Sequence, residues 1–250
     1  MDRPPALPTG PSWRGSVNSH MSSTGREVSL SVLGMEIGRV VSVNAGRAAG
    51  AGWAGRLKRT AIDKRPASGP VAVGRLGLDG DEQADTENHG GPGQAVYAYA
   101  REDLDWWAQR LGRELRDGMF GENITTAGID VTGAVMGERW RLGTAVAEVT
   151  MPRIPCSVFR GWMTERGWVK RFAEARRPGA YLRVIEPGAV CAGDAVELLA
   201  RPFTHVTMAE AMHAYYTRDP VLIRRILHVP GHAATWDAFA SEALLPARAG

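Results

Sequence analysis

Apolar segments in this chain are short, and glycine punctuates many of the breaks between them. That punctuation constrains the fold more than any other feature. A run of roughly four to eight residues suits a strand, whereas a helix needs about ten or more. Glu36 to Asn44 is β-branched and alternating and predicts the first strand. Pro70 to Leu78 contains a second and Ala95 to Ala100 a third. Gly133 to Leu142 and Gly143 to Thr150 read as a hairpin-like pair around glycines. Ala180 to Glu186 and Ala195 to Leu199 complete the set, with turns at Pro187-Gly188 and Gly193-Asp194. Helical periodicity enters twice. Leu104, Trp107, Leu111 and Leu115 predict an amphipathic helix from Glu102 to Leu115, and residues 157 to 176 are helical in pattern with a break near Gly167. So many strands with so few helices between them do not fit the βαβ alternation of a parallel sheet. The expected class is α+β, mainly β: a β-barrel with inserted helices.

The two ends depart from this pattern. Residues 1 to 34 are rich in Pro, Ser, Gly and Arg, lack hydrophobic periodicity, and contain no apolar segment of a secretory signal. They predict a disordered extension, and Met35, which opens directly onto the first strand, is an alternative start site. From Thr204 onward the pattern turns helical. Thr207-Met-Ala-Glu210 is a capping box, Asp219-Pro220 supplies an N-cap and a first-turn proline, and Pro230-Gly231 precede a third segment carrying Trp236, Phe239 and Ala243. The expected division is an extension over 1–34, a barrel domain over 35–200 and a satellite of three helices over 201–250.

Composition then removes several classes of function. A hydrophobic fraction of 44% and a charged fraction of 23% are those of an ordinary globular protein. No apolar run approaches the roughly 18 residues that cross a bilayer, so no membrane partner is expected. The net charge of +3 comes without a lysine-rich tract or a basic stripe interleaved with aromatics, so no nucleic-acid polymer is expected either. Cys156 and Cys191 are too few and too far apart for a disulfide framework, and they suit a reducing, cytoplasmic compartment.

Four segments hold candidate chemistry. In Met151-Pro-Arg-Ile-Pro-Cys156 two prolines stiffen the backbone around a cation and a thiol. A guanidinium near a thiol eases its deprotonation, and a thiolate is a soft ligand or a nucleophile; the stretch alone also fits a buried structural cysteine. Gly50, Gly52 and Gly55 match G-x-G-x-x-G. A dinucleotide site would need a helix to open there, and Arg56 to Asp63 followed by Lys64-Arg65-Pro66 does not start one, so a loop is expected. Gly80-Asp-Glu-Gln-Ala-Asp85 and His89-Gly-Gly-Pro92 predict a polar loop that can approach a ligand closely. Asp81, Asp85 and His89 fall at four-residue spacing, but the glycines and the short ligand count argue against a metal site. Gly118-Met-Phe-Gly-Glu-Asn-Ile124 is a turn that delivers Glu122 and Asn123 to the mouth of a strand. Asn123-Ile-Thr125 matches a glycosylation acceptor but has no secretory context. His228 and His232 flank a Val-Pro-Gly turn, so they are not a helical zinc pair.

Taken in order, these segments resemble the MOSC domain family of molybdenum-cofactor proteins, in its YiiM-type branch. The resemblance rests on Thr60-Ala-Ile-Asp-Lys64, Gly80 to Asp85, His89-Gly-Gly91, Ala95-Val-Tyr97, Gly118 to Ile124, Pro152-Arg-Ile-Pro-Cys156 and the Gly193-Asp194 turn. The helical C-terminal segment resembles the module that follows the domain in that branch. The resemblance implies a β-barrel and a molybdopterin cofactor whose metal is bound by the thiolate of Cys156. It further implies a cavity lined by Lys64, Asp81, Gln83, His89, Glu122, Asn123 and Arg153. Lys64, His89, Arg153 and Cys156 would carry the chemistry, with His89 as proton donor. Met151 departs from the pattern, because a polar residue, often glutamine, is expected there.

The implied activity is reduction of N-hydroxylated compounds, such as hydroxylamino-purines or amidoximes, to the amine. The chain has neither an iron–sulfur cysteine set nor a nucleotide site, so a separate electron-transfer protein is expected as partner. Two other classes use the same residues: a carrier that hands on the cofactor or a sulfur atom, and a cysteine hydrolase built on Cys156 and His89. The hydrolase would need an oxyanion hole that no segment supplies.

Overall fold

The computed structural model describes residues 34–55, 58–84 and 90–245. The expectations for the N-terminal extension, for Asp85 and for His89 fall on residues outside these. β1 (Met35–Ala45) is followed by β2 (Ala49–Gly50), β3 (Arg59–Thr60), β4 (Arg65–Pro66), β5 (Val71–Gly74), β6 (Gly77–Leu78) and β7 (Val96–Ala100). Then come α1 (Arg101–Leu111), β8 (Ile124–Ala127), β9 (Arg139–Leu142), β10 (Ala145–Met151), α2 (Ser157–Met163) and α3 (Trp168–Ala175). The chain continues through β11 (Ala180–Glu186), β12 (Gly188–Val190) and β13 (Ala195–Ala200), and ends with α4 (Met208–Thr217), α5 (Pro220–Leu227) and α6 (Thr235–Ala243).

Seven strands close into a barrel in the order β13, β9, β10, β11, β7, β8, β1, with β1 returning to β13. The β1–β13 register pairs Met35 with Leu198 and Arg39 with Ala195. All neighbours are antiparallel except β7 and β8, which pair in parallel from Ala98–Ile124 to Ala100–Thr126. Parallel neighbours need a crossover, and α1 supplies it.

Both faces of β7 are buried, and its alternation divides the core. Val96, Ala98 and Ala100 point into the barrel with Val43, Trp140, Leu182 and Val196. Tyr97 and Tyr99 point outward into an aromatic cluster with Trp107, Phe120, Phe159, Trp168 and Phe172. That cluster seats α1, α2 and α3 on one side of the barrel; Trp107 and Phe172 stack at 5.9 Å. Met208, Ile223, Ile226 and Trp236 of the last three helices belong to the same contiguous apolar core as the barrel interior.

Several local expectations hold. Thr207 and Glu210 form the reciprocal capping box, Asp219 caps α5 with Pro220 in its first turn, and α2 and α3 are separated around Gly167. The Gly50–Gly55 stretch opens no α-helix among its described residues; β2 and β3 pair across it. Other expectations need correction. α1 ends at Leu111, not Leu115, because Gly112 adopts the left-handed conformation (φ 63°) and stops the helix, although Leu115 is still buried. Residues 133–138 are turns around an isolated bridge from Val135 to Thr207, with Gly137 at φ 89°, so the hairpin begins only at Arg139. The Pro187-Gly188 turn runs into β12, which pairs with β5 in a small second sheet. Among the described residues no helix is long and apolar enough to cross a membrane.

Candidate functional site

β10 delivers the Pro-Arg-Ile-Pro-Cys segment to one end of the barrel, where Cys156 stands in extended backbone immediately before α2. Here a cleft encloses about 770 Å³ of non-protein space, its open mouth included. Lys64, Asp81, Gln83, Asn123, Arg153 and Cys156 all line it. Segments as far apart in sequence as Lys64 and Cys156 thus meet around one cleft.

Arg153 is 7% exposed. Its Nη1 donates to the Phe120 carbonyl at 2.7 Å, its guanidinium lies 4.1 Å from the Phe159 ring centre and 5.1 Å from that of Tyr97, and its Nε has no hydrogen-bond partner. Among the described residues it forms no ion pair with a carboxylate. Burial on its own would favour loss of its proton, but Tyr181, Tyr97, Cys156 and Glu122 more than offset that and hold the guanidinium charged. A buried cation without an acid partner leaves the site short of one negative charge.

The Phe120 carbonyl that receives Arg153 is presented by a tight turn. Gly118 and Gly121 lie at φ 75° and 74°, and a Cβ on Gly118 would stand 2.6 Å from the Lys64 carbonyl. Glu122 staples this turn by accepting from Gly118 N–H at 2.6 Å, Phe120 N–H at 2.9 Å and the Thr125 hydroxyl at 3.1 Å. Glu122, expected beside the cofactor, is therefore placed behind the cleft wall, fully buried. Desolvation pushes its carboxyl up to about 7 even though these hydrogen bonds favour the charged form.

Lys64 pairs with Asp81. Burial pushes the Lys64 ammonium below the ordinary lysine range; Asp81 works against that shift and Arg153 with it. Asp81 also accepts from Gly46 N–H at 2.8 Å and from Asn123 Nδ2 at 2.9 Å. Asn123 in turn accepts Tyr97 N–H at 3.1 Å. Gln83 reaches the Leu76 carbonyl at 3.3 Å. Asp81 and Asn123 thus act as the frame that orients Lys64.

Arg59, Gln94, Tyr97, Ile154, Val158 and Tyr181 also line the cleft, although nothing in the sequence singles them out for it. Arg59 directly precedes the Thr60–Lys64 motif, and its exposed guanidinium adds a third cation. Tyr181 lies near Arg153 and Cys156; burial raises its phenol, with Cys156 adding to that and Arg153 opposing it, so it keeps its proton. Met151 is half-buried, and its sulfur receives Gln94 Nε2 at 3.4 Å and the Thr235 hydroxyl at 3.8 Å, which ties the cleft wall to α6.

Among the described residues no His, Cys, Asp and Glu cluster could hold a metal by itself. His232 bonds Asp237 and the Val229 carbonyl, and His228 lies against the Arg224 carbonyl. Cys156 and Cys191 form no disulfide.

The family model of the MOSC domain matches residues 85–197. YflK of Bacillus subtilis (strain 168) is 34% identical over 201 residues, 80% of this chain and 91% of that protein. A protein named Reductase from Gibberella moniliformis (strain M3125 / FGSC 7600) is 34% identical over 170 residues, 66% of this chain and 30% of that longer one. The crystal structure of YiiM from Geobacillus stearothermophilus superimposes with a TM-score of 0.70 at 28% identity, over 83% of this chain and 99% of that one. The sequence likeness and the shared barrel agree: this chain belongs to the MOSC domain family.

Proposed function

We propose that this chain is a molybdenum-cofactor-dependent reductase of N-hydroxylated compounds. The observation that carries the reading is Arg153, a buried guanidinium with an unpartnered Nε and no carboxylate, in the same cleft as Cys156 and Lys64. Such a site is balanced by an anionic ligand with a group that a thiolate can bind, and a molybdenum pterin dithiolene with its phosphate has that character. When bound, the cofactor supplies two-electron oxygen-atom chemistry that side chains cannot perform.

The chain's own residues would hold and tune it. Cys156 would bind the metal through its thiolate. Arg153 would meet the anion with its planar fork and Lys64 with a point charge, while Arg59 adds attraction at the cleft. Asp81 and Asn123 would keep Lys64 aimed, and Gln83 would supply hydrogen bonds at the rim. His89 is assigned proton delivery on its sequence position. Overall, R–NHOH takes up two electrons and two protons to give R–NH2 and water, with the N–O bond broken and nitrogen reduced. The fungal relative named Reductase supports this class of chemistry, and its match occupies 30% of that protein. The electrons would come from a separate protein, since this sequence holds neither an iron–sulfur cysteine set nor a nucleotide site.

The test is purification from a host that makes the cofactor, with molybdenum and pterin measured in the wild type and in Cys156→Ala. Bound metal in the wild type and its loss in the variant are expected. Metal-free wild type overturns the reading. Metal without turnover of a hydroxylamino-purine under an artificial reductant converts it to a carrier.

A further inference from the structure

The second large opening lies between α3 and α4, a groove of about 1450 Å³ counted to its mouth. Its floor is apolar, with Met212 and Trp168 buried beneath, and Tyr216 stands at its edge, 44% exposed. Its rim is cationic, formed by Arg160, Lys170 and Arg176. Residues 157–177, which build α2 and α3, hold six basic residues against two acidic ones, a net +4 in a chain whose total is +3. The charge lies within one segment of sequence, and the fold sets Arg160, Lys170 and Arg176 along the groove.

Part of this charge is neutralised, since Arg171 pairs with Glu165 at 3.4 Å and Arg177 pairs with the buried Asp103; the rest is not. Arg160 and Arg166 are exposed and have no ion-pair partner among the described residues. Lys170 is 3.7 Å from Glu174 with both side chains exposed, a pair that water screens. Arg176 faces the His213 ring nitrogen at 2.8 Å and not an acid. The groove lies near the cleft along α2. The Arg160 N–H donates to the Cys156 carbonyl at 3.0 Å, so one turn of α2 separates the groove rim from the residue carrying the thiol.

We propose that this basic groove docks the acidic face of a separate electron-carrier protein. The inference rests on the reductase reading above, because it locates the entry of the two electrons consumed per N–O bond. Two electrons leave the carrier, from one fully reduced flavin or from two reduced [2Fe–2S] centres in turn, the substrate nitrogen is reduced, and the two protons come from solvent by way of the proton donor assigned above. An apolar floor with a charged rim is the anatomy of a transient protein interface. Glu165 and Glu174 among the cations suit a patterned protein surface better than a uniform polyanion.

The experiment titrates the full chain with an acidic flavodoxin and with an acidic plant-type ferredoxin, against Arg160→Glu/Lys170→Glu, at low and at high salt. At least one donor is expected to bind, with Kd rising about tenfold in the double variant and with added salt. Turnover with dithionite-reduced viologen is expected to be unchanged, since both residues are exposed and outside the cleft. Absence of binding by both donors, or equal binding to wild type and variant, overturns the docking site. Tighter binding of a single-stranded RNA that displaces the donors overturns it in favour of nucleic acid. Failure of the viologen assay in molybdenum-loaded wild type sinks the reductase reading instead, and the binding titration still decides the surface.

Discussion

Asn123 holds Asp81 from the side opposite Lys64: its amide donates to Oδ2 at 2.9 Å, while Oδ1 takes the Lys64 ammonium and the Gly46 N–H. The acid is thereby fixed between the mouth of β8 and the loop after β1, and it sets the direction of the lysine. Asp81→Asn would turn an amide donor toward one of these three donors and leave Lys64 buried without its counter-charge. The expected cost is about 3–5 kcal/mol, read by urea unfolding. A loss below roughly 1 kcal/mol would mean that the pair behaves as a surface contact.

Glu122 makes stability depend on pH in an uncommon direction. Its carboxyl is raised to about 7 in the folded chain from an ordinary 4.5. Between those values the folded state binds more protons than the unfolded one, so stability falls as pH rises from about 4.5 to about 7 and is level above. The contribution is about 3 kcal/mol across the window. Glu122→Gln removes the titration, so the stability difference between wild type and variant should change across pH 4.5 to 7, measured by urea unfolding at several pH values. Parallel pH curves would contradict the buried-carboxylate account.

Arg153 should matter more to anion binding than to stability. Arg153→Met keeps the apolar stem against Phe159, removes a buried charge that has no carboxylate partner among the described residues, and leaves the Phe120 carbonyl unpaired. Cofactor-free variant is expected to match or exceed cofactor-free wild type by about 1 kcal/mol in thermal unfolding, while molybdenum content falls to background in a competent host. A variant that unfolds several degrees earlier yet still loads metal would reverse the assignment.

What could be read from the sequence follows the range of the forces involved. The Thr207 capping box, the Asp219 cap and the β10 run are written in adjacent residues, and so was the cysteine segment that ends β10. Lys64 and Arg153 stood out as motif residues, but their common cleft depends on barrel closure. Arg153 meets the Phe120 carbonyl across 33 positions, and Lys64 meets Asp81 across 17. Arg59 and Tyr181 carry no local mark and reach the cleft only because β3 and β11 lie where they do. Glu122 shows the opposite failure: its type and position suggested a ligand-facing acid, whereas the turn it closes keeps it behind the wall. β12 is hidden because its three residues begin at Gly188, inside the local turn signal Pro187-Gly188, and its partner β5 lies more than a hundred positions earlier.

Met151 is where the cleft departs from its expected polarity, and its surroundings say what the departure changes. Its sulfur receives one N–H from Gln94 and the hydroxyl of Thr235, so the residue couples a cleft-lining amide to α6 instead of presenting an amide of its own. A thioether is a weak acceptor, which leaves Gln94 loosely held. Met151→Gln would offer a stronger acceptor to Gln94 and fix its orientation, while the side-chain volume is nearly conserved. Stability should change by less than about 1.5 kcal/mol, because the position is half-buried. Molybdenum content should be unaltered, since Cys156, Arg153 and Lys64 are untouched. KM for a hydroxylamino-purine should shift severalfold with kcat nearly constant, the signature of altered ground-state binding. A loss of bound molybdenum in this variant would show instead that the Gln94–Met151–Thr235 contact belongs to the cofactor's support, and would move the substrate face to another wall of the cleft.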